Sequence, residues 1–152
     1  ACSGILFNHE SPLRGIDFVT RKITDGVAKI YLGRIKNIEL GNLEIKRDWG
    51  FAGDFVESMW MMLQQNRPND FVIATGKNFS IKDIVQIAFE EIGIYDWNKY
   101  IFSNKKLLRP AETFATKGDF LKAKNELGWE PKTSFKNVIK MMVRNDLKLQ
   151  SA

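Results

Sequence analysis

Cysteine is almost missing from this chain. Cys2 is the only one, which excludes an internal disulfide framework and a thiolate zinc site, and suits a reducing compartment such as the cytoplasm. Histidine is equally scarce, with His9 standing alone. No apolar run approaches the roughly 18 residues that a membrane span requires. The opening ACSGILFN carries no basic leader, so a secretory signal is not expected either. A glycine-rich turn of the dinucleotide or P-loop type occurs nowhere. Repeats, low-complexity tracts and Pro/Ser-rich linkers are also absent. What is there suits a globular protein: 44% hydrophobic and 27% charged residues, with eleven Phe and four Trp to fill a core.

The formal charge of +5 is not concentrated in one block. Basic residues are spread through TRKITDGVAKIYLGRIK, EIKRDW and NKKLLRP, with acids between them. Solvated faces or a small anionic ligand fit this pattern better than a nucleic acid, which is not expected as a partner.

Strand and helix signals alternate, so the class is α/β. SGILFN reads as a strand of the kind buried on both faces of a parallel sheet. The chain starts inside it, from which partner strands encoded upstream are expected. HESPLRG reads as a loop, broken by Pro12 and Gly15. From about Asp17 to Tyr31, the spacing of Phe18, Ile23, Val27 and Ile30 predicts a helix, and NIEL predicts a short strand ending at Gly41. FAGDFVESMWMMLQQ is the clearest helix, and its stripe of Phe51, Phe55, Met59, Met62 and Leu63, broadened by Trp60, is expected in the core. DFVIATG is a second buried-type strand. Ser80 and Asp83 form a capping-box pattern opening a helix to about Ile92. KYIF is a possible strand in a stretch that is otherwise hard to read. GDFLKAKNELGW is a helix with Asp119 as expected N-cap and Gly128 as stop, and Ser134 is placed to cap the last helix.

Three clusters could carry chemistry. His9 and Glu10 follow the first strand, where ligands sit in α/β proteins. Neighbours on an extended segment point to opposite sides, so a His9–Glu10 dyad is not expected. A ligand contact or a structural hydrogen bond suits His9 better than proton transfer. In LGNLEIKRDWG, Arg47 is either surface charge or a bidentate diphosphate clamp, while Asp48 helps start the next helix. In LLRPAET, Pro110 keeps the backbone near Arg109 extended. Arg109 and Glu112 could then hold a nucleotide's phosphate and sugar, although a plain loop has the same letters.

The stretches GILFNHESPLRG, FVTRKIT, LGNLEIKRDWGFAGDFVESMWMMLQ, DFVIATG, RPAE and KAKNELGWEP, in this order, resemble the GDP-mannose 4,6-dehydratase family over nearly the whole chain. The wider group of extended short-chain dehydrogenases shares an Arg-Asp-aromatic turn like RDWGFAGD; NHESP with VTRKIT points to the GDP-mannose branch. The resemblance implies the C-terminal part of an NAD(P)-binding Rossmann-like enzyme: late Rossmann strands plus a small mixed α/β substrate-binding domain. Residues 1–152 would form one truncated unit, with about 1–12 and 48–76 Rossmann-derived. It implies NADP as cofactor, GDP-mannose as ligand, and possible homo-oligomers. The family's catalytic Thr, Glu, Tyr and Lys would lie upstream, so the chain alone is expected to be inactive and no residue in it is assigned a catalytic role.

By the same resemblance, His9 and Arg14 contact NADP. Asn8 and Lys22 reach the sugar nucleotide, and Val19 lines its pocket. Leu40 and Gly41 lie near the guanine, Arg47 takes the diphosphate, and Arg109 with Glu112 holds phosphate and ribose. Leu13 stands where relatives often carry a second arginine. Two other readings remain beside this one: a catalytically silent nucleotide-sugar module, and a basic nucleic-acid binder.

Overall fold

A computed structural model of the chain describes residues 1–107 and 115–151. Its first strand, β1 (Gly4–Leu6), is followed at once by β2 (Asn8–Glu10). β1 runs parallel to β6 (Phe71–Ile73), with Ile5 opposite Val72. The Phe7 amide still donates to the Ile73 carbonyl at 2.9 Å. Beyond it the chain changes partner, and β2 runs parallel to β5 (Trp49–Phe51). His9 and Glu10 are therefore strand residues, and the expected loop starts only at Ser11. A third parallel pair joins β3 (Ile38–Leu40) to β8 (Ile101–Ser103), and β4 (Lys46–Arg47) lies antiparallel to β7 (Phe79–Ser80). KYIF divides: a 3-10 turn covers Trp97–Tyr100 and the strand begins at Ile101.

Helix α1 (Val19–Tyr31) buries Ile23, Val27 and Ile30 on one face. That face meets α3 (Ile81–Glu91) and α5 (Phe135–Ser151) in the larger core, with Phe89, Val138, Ile139 and Met142 between them. The capping box of α3 is formed in both directions: the Asp83 amide donates to the Ser80 hydroxyl at 3.1 Å and the Ser80 amide to the Asp83 carboxylate at 2.6 Å. Ser134 accepts from the Asn137 amide at the start of α5, at 3.3 Å. Gly128, at φ 72°, ends α4 (Leu121–Leu127) in the left-handed conformation that glycine adopts without a Cβ penalty. Asp119 sits one residue ahead of that helix's cap position, Phe120, and its carboxylate accepts from the Leu121 amide instead.

A second core joins β1 and β6 to α4 and α2 (Ala52–Leu63), packing Phe55, Met62, Phe71, Ile73 and Trp129. Here the expected Met-rich core face of α2 is corrected. Phe55, Ser58 and Met62 point inward, whereas Met59, Trp60 and Leu63 are 37%, 64% and 74% exposed. Both adjoining stripes of the helix are apolar, so periodicity could not tell which of them faces the core. Among the described residues, no helix is long and apolar enough to cross a membrane.

The α3–α5 contact ends in charge. Glu91 meets Lys140 at 2.9 Å and Arg144 at 2.6 Å. Burial pushes its carboxyl up, but the two cations together bring it below its ordinary value of 4.5. A carboxyl lowered in the folded state adds stability above the unfolded value and loses it as pH falls through the folded one. Glu91→Gln is therefore expected to unfold earlier than the parent chain at neutral pH. In thermal scans at decreasing pH, the gap should close once the pH is well below 4.5.

Candidate functional site

A cavity of about 370 Å³ opens between β2, the start of α1, the segment from β3 to β4, and the start of α3. From the first part of the chain, Asn8, Arg14, Val19 and Lys22 line it. Leu40, Gly41 and Arg47 close it from the other side, with Trp49 and Leu107 beside them. Gly41 sits where the backbone folds tightly: a Cβ there would lie 2.8 Å from the Leu107 carbonyl oxygen. Seven of the ten positions singled out in the sequence thus share one cavity. His9 does not line it, and Arg109 and Glu112 lie outside the described residues.

His9 and Glu10 diverge, as strand alternation requires. The His9 ring stacks on Phe55 with centroids 5.0 Å apart, and its Nδ1 lies 2.9 Å from the Phe7 carbonyl oxygen. A carbonyl only accepts, so Nδ1 carries the proton, and in the neutral ring Nε2 is left as an acceptor. Glu10 turns the other way, into the cavity wall beside Asn8, two residues back on the same face. It is 1% exposed. No proton-transfer pair forms between the two.

Around Glu10 stands a group that the sequence reading did not assign. Thr20 donates its hydroxyl to the Glu10 carboxylate at 2.7 Å, and Arg14 Nε lies 3.3 Å from the same oxygen. That contact is an ion pair without hydrogen-bond alignment, since Nε is buried with no acceptor in line. The Arg14 guanidinium rests on the Phe18 ring, 3.5 Å from its centroid. Arg21 fixes the loop beneath, donating to the Pro12 and Arg14 carbonyls at 2.7 and 2.9 Å and pairing with buried Asp146 of α5 at 2.8 Å. Burial pushes the Glu10 carboxyl up, against the Thr20 bond and the Arg14 charge; burial likewise raises Asp146, against Thr24 and Arg21. The signal for Glu10 was present in the letters: the alternation that separates it from His9 also aligns it with Asn8.

In the RDWG turn, Asp48 does not start α2 as expected. It is fully buried and accepts from the Thr75 amide at 2.8 Å, the Thr75 hydroxyl at 2.6 Å, the Gly76 amide at 2.9 Å and the Gly118 amide at 3.2 Å. Arg47, next to this anchor, lies along the cavity and donates to the Lys46 carbonyl at 2.7 Å. Trp49, on the other side, continues into an aromatic column, with Phe135 at 5.8 Å from Trp49 and 4.1 Å from Phe79. One turn therefore fixes a cation and an aromatic wall of the cavity together. Among the described residues, its charged lining apart from Glu10 and exposed Asp17 is Arg14, Lys22 and Arg47. Such a lining favours an elongated anion with an uncharged, partly apolar end.

A second cavity, of about 520 Å³, lies between Pro12 and α5, lined by Lys140, Arg144 and Lys148. Lys140 and Arg144 are already paired with Glu91, so much of its charge is spent within the fold. Among the described residues, no group of three or more His, Cys, Asp or Glu side chains could hold a metal ion.

Comparison with known proteins adds an independent line. The family model described as GDP-mannose 4,6 dehydratase matches residues 1–142. GDP-mannose 4,6 dehydratase 1 of Arabidopsis thaliana is 49% identical over 149 residues, covering 98% of this chain and 41% of that protein. The human GDP-mannose 4,6 dehydratase is 44% identical over 165 residues, covering 98% and 44%. Among solved structures, RMD from Pseudomonas aeruginosa complexed with NADPH superposes with a TM-score of 0.85 at 17% identity, covering 96% of this chain and 47% of that one. This last likeness shows the fold, an α/β arrangement of the Rossmann-like kind. The chain spans less than half the length of these three proteins.

Proposed function

Because this chain belongs to the GDP-mannose 4,6 dehydratase family, we propose that it is the sugar-nucleotide-binding portion of an NADP-dependent lyase. The whole enzyme would convert GDP-mannose to GDP-4-keto-6-deoxymannose. The observation that carries this reading is the single cavity that gathers Asn8, Val19, Lys22, Leu40, Gly41 and Arg47. Lys22 and Arg47 bind the diphosphate and Asn8 the sugar, while Leu40 and Gly41 receive the guanine. Arg109 and Glu112 are assigned phosphate and ribose by resemblance alone.

His9 and Arg14 are assigned to the cofactor. A guanidinium backed by Phe18 and a ring nitrogen of fixed tautomer fit a dinucleotide's phosphate and polar edge. When bound, the nicotinamide cofactor would supply reversible hydride transfer. The residues of this chain bind and orient; the proton-moving groups belong to the remainder of the enzyme. The core of β1, β6 and α2 is the part we assign to the Rossmann half, and the single cysteine suits a cytoplasmic setting.

Reconstitution tests the proposal. The chain should be co-purified with the N-terminal part of the Arabidopsis relative, and GDP-mannose conversion followed by mass spectrometry. Conversion by the pair, and none by either part, is the expected result. Binding without conversion favours the silent nucleotide-sugar module, which the absence of a His9–Glu10 pair also suits. Steeply salt-dependent binding of RNA or DNA, with no response to GDP-mannose, would overturn both readings.

A further inference from the structure

We propose that Glu10 is a positioning residue: it orients the Arg14 guanidinium for a phosphate group of the bound nucleotide. The inference rests on reading the cavity as a nucleotide site. Asp48 takes four hydrogen bonds, three of them from backbone amides, and Asp54 takes backbone bonds from Lys132 and Thr133 at 3.0 and 2.8 Å. Those two groups hold turns in place. Asp146 and Asp25 are held by side chains that lie away from the cavity. Glu10 is as deeply buried, but both of its side-chain partners, Thr20 and Arg14, line the cavity. Burying a carboxylate is costly, and here the return is the placement of a cation.

Arg14 is held on three sides. Glu10 faces its Nε edge, Phe18 backs its plane, and Arg21 fixes its carbonyl. A guanidinium binds phosphate through a rigid planar fork, so rotation about its last bonds destroys the match even when the charge stays nearby. With Nε buried against Glu10 and one face of the plane against Phe18, the terminal Nη edge is the part left for a ligand. Arg21 is itself fixed by Asp146 on α5, so the loop carrying Arg14 is tied through the core to the last helix.

Glu10→Gln tests this, since an amide keeps the shape and an acceptor for Thr20 but removes the charge facing Arg14. The Arg14 Nε–Hε resonance should be resolved in the parent chain and collapse in the variant to the averaged position of mobile arginines; an unchanged resonance overturns the proposal. This readout needs no ligand. In calorimetric titrations with GDP-mannose and with NADP, Glu10→Gln and Arg14→Ala should each weaken binding of one of the two by about tenfold. The double variant should weaken it by about the same factor rather than the product. Tighter binding in Glu10→Gln would mean that the carboxylate acts only as a repelling charge, and would overturn the proposal. Its melting temperature should equal or exceed that of the parent, because a buried charge is removed; a clear fall would assign Glu10 to the fold instead. If the parent chain binds neither ligand, the nucleotide reading fails while the arginine resonance still decides what Glu10 does.

Discussion

Replacing Asp48 by Ala is expected to lower the stability of the chain by about 3–5 kcal/mol, because a donor left without its acceptor in the fold costs about 1–3 kcal/mol. The variant leaves the Thr75 amide and hydroxyl and the Gly76 and Gly118 amides without their acceptor inside the fold. A domain of this size holds about 5–15 kcal/mol in all. The loss therefore corresponds to a fall in melting temperature of roughly 6–20 °C, measurable by calorimetry. Asp48→Asn keeps the shape and one acceptor and should lose less. The damage should also reach the cavity, because Asp48 separates Arg47 from Trp49 and sets the direction of both. A melting temperature within a degree or two of the parent would show that the turn is held by something other than this carboxylate.

The second large effect concerns the diphosphate. Arg47→Ala and Lys22→Ala should each cost about 1.5–3 kcal/mol of GDP-mannose binding, the worth of a charge-assisted hydrogen bond, or about tenfold to a hundredfold in Kd. The two residues stand on separate elements, so their losses should add, and the double variant should show no saturation in calorimetric titration. Melting temperatures should stay near the parent value, because both side chains are partly exposed. Guanosine, which lacks the phosphates, should bind the parent and the double variant alike. A double variant that still binds GDP-mannose as the parent does would remove the diphosphate from this cavity.

Much of this architecture could be read locally. The capping box at Ser80, the stop at Gly128, the apolar runs of β1 and β6 and the face of α1 all depend on residues within a few positions of one another. Other features could not be read that way. Asp48 owes its role to Thr75, Gly76 and Gly118, which lie 27, 28 and 70 positions away, and an acid before a helix reads equally well as its start. Trp60 and Leu63 belong to an apolar stripe that periodicity assigns to the core, although that stripe faces outward here. In the cavity, the resemblance marked Asn8, Val19, Lys22, Leu40 and Gly41 without a physical reason for each, and only Arg47 had one of its own, as a bidentate clamp. The fold supplies one by bringing β2, α1 and the β3–β4 segment together. Glu10 and Thr20 were missed because a carboxylate beside the only histidine drew attention to the pair rather than to the next residue on the same strand face.

The central claim is that this cavity binds GDP-mannose. Its most direct test is thermal unfolding of the chain alone, with excess GDP-mannose, and with dTDP-glucose as control. At about 100 times its Kd, a ligand of the folded state adds about 2.7 kcal/mol, or roughly 5–10 °C for a chain of this length. The account predicts one cooperative transition raised to that extent by GDP-mannose and left in place by dTDP-glucose. A transition that neither ligand moves, or that both move equally, would contradict it.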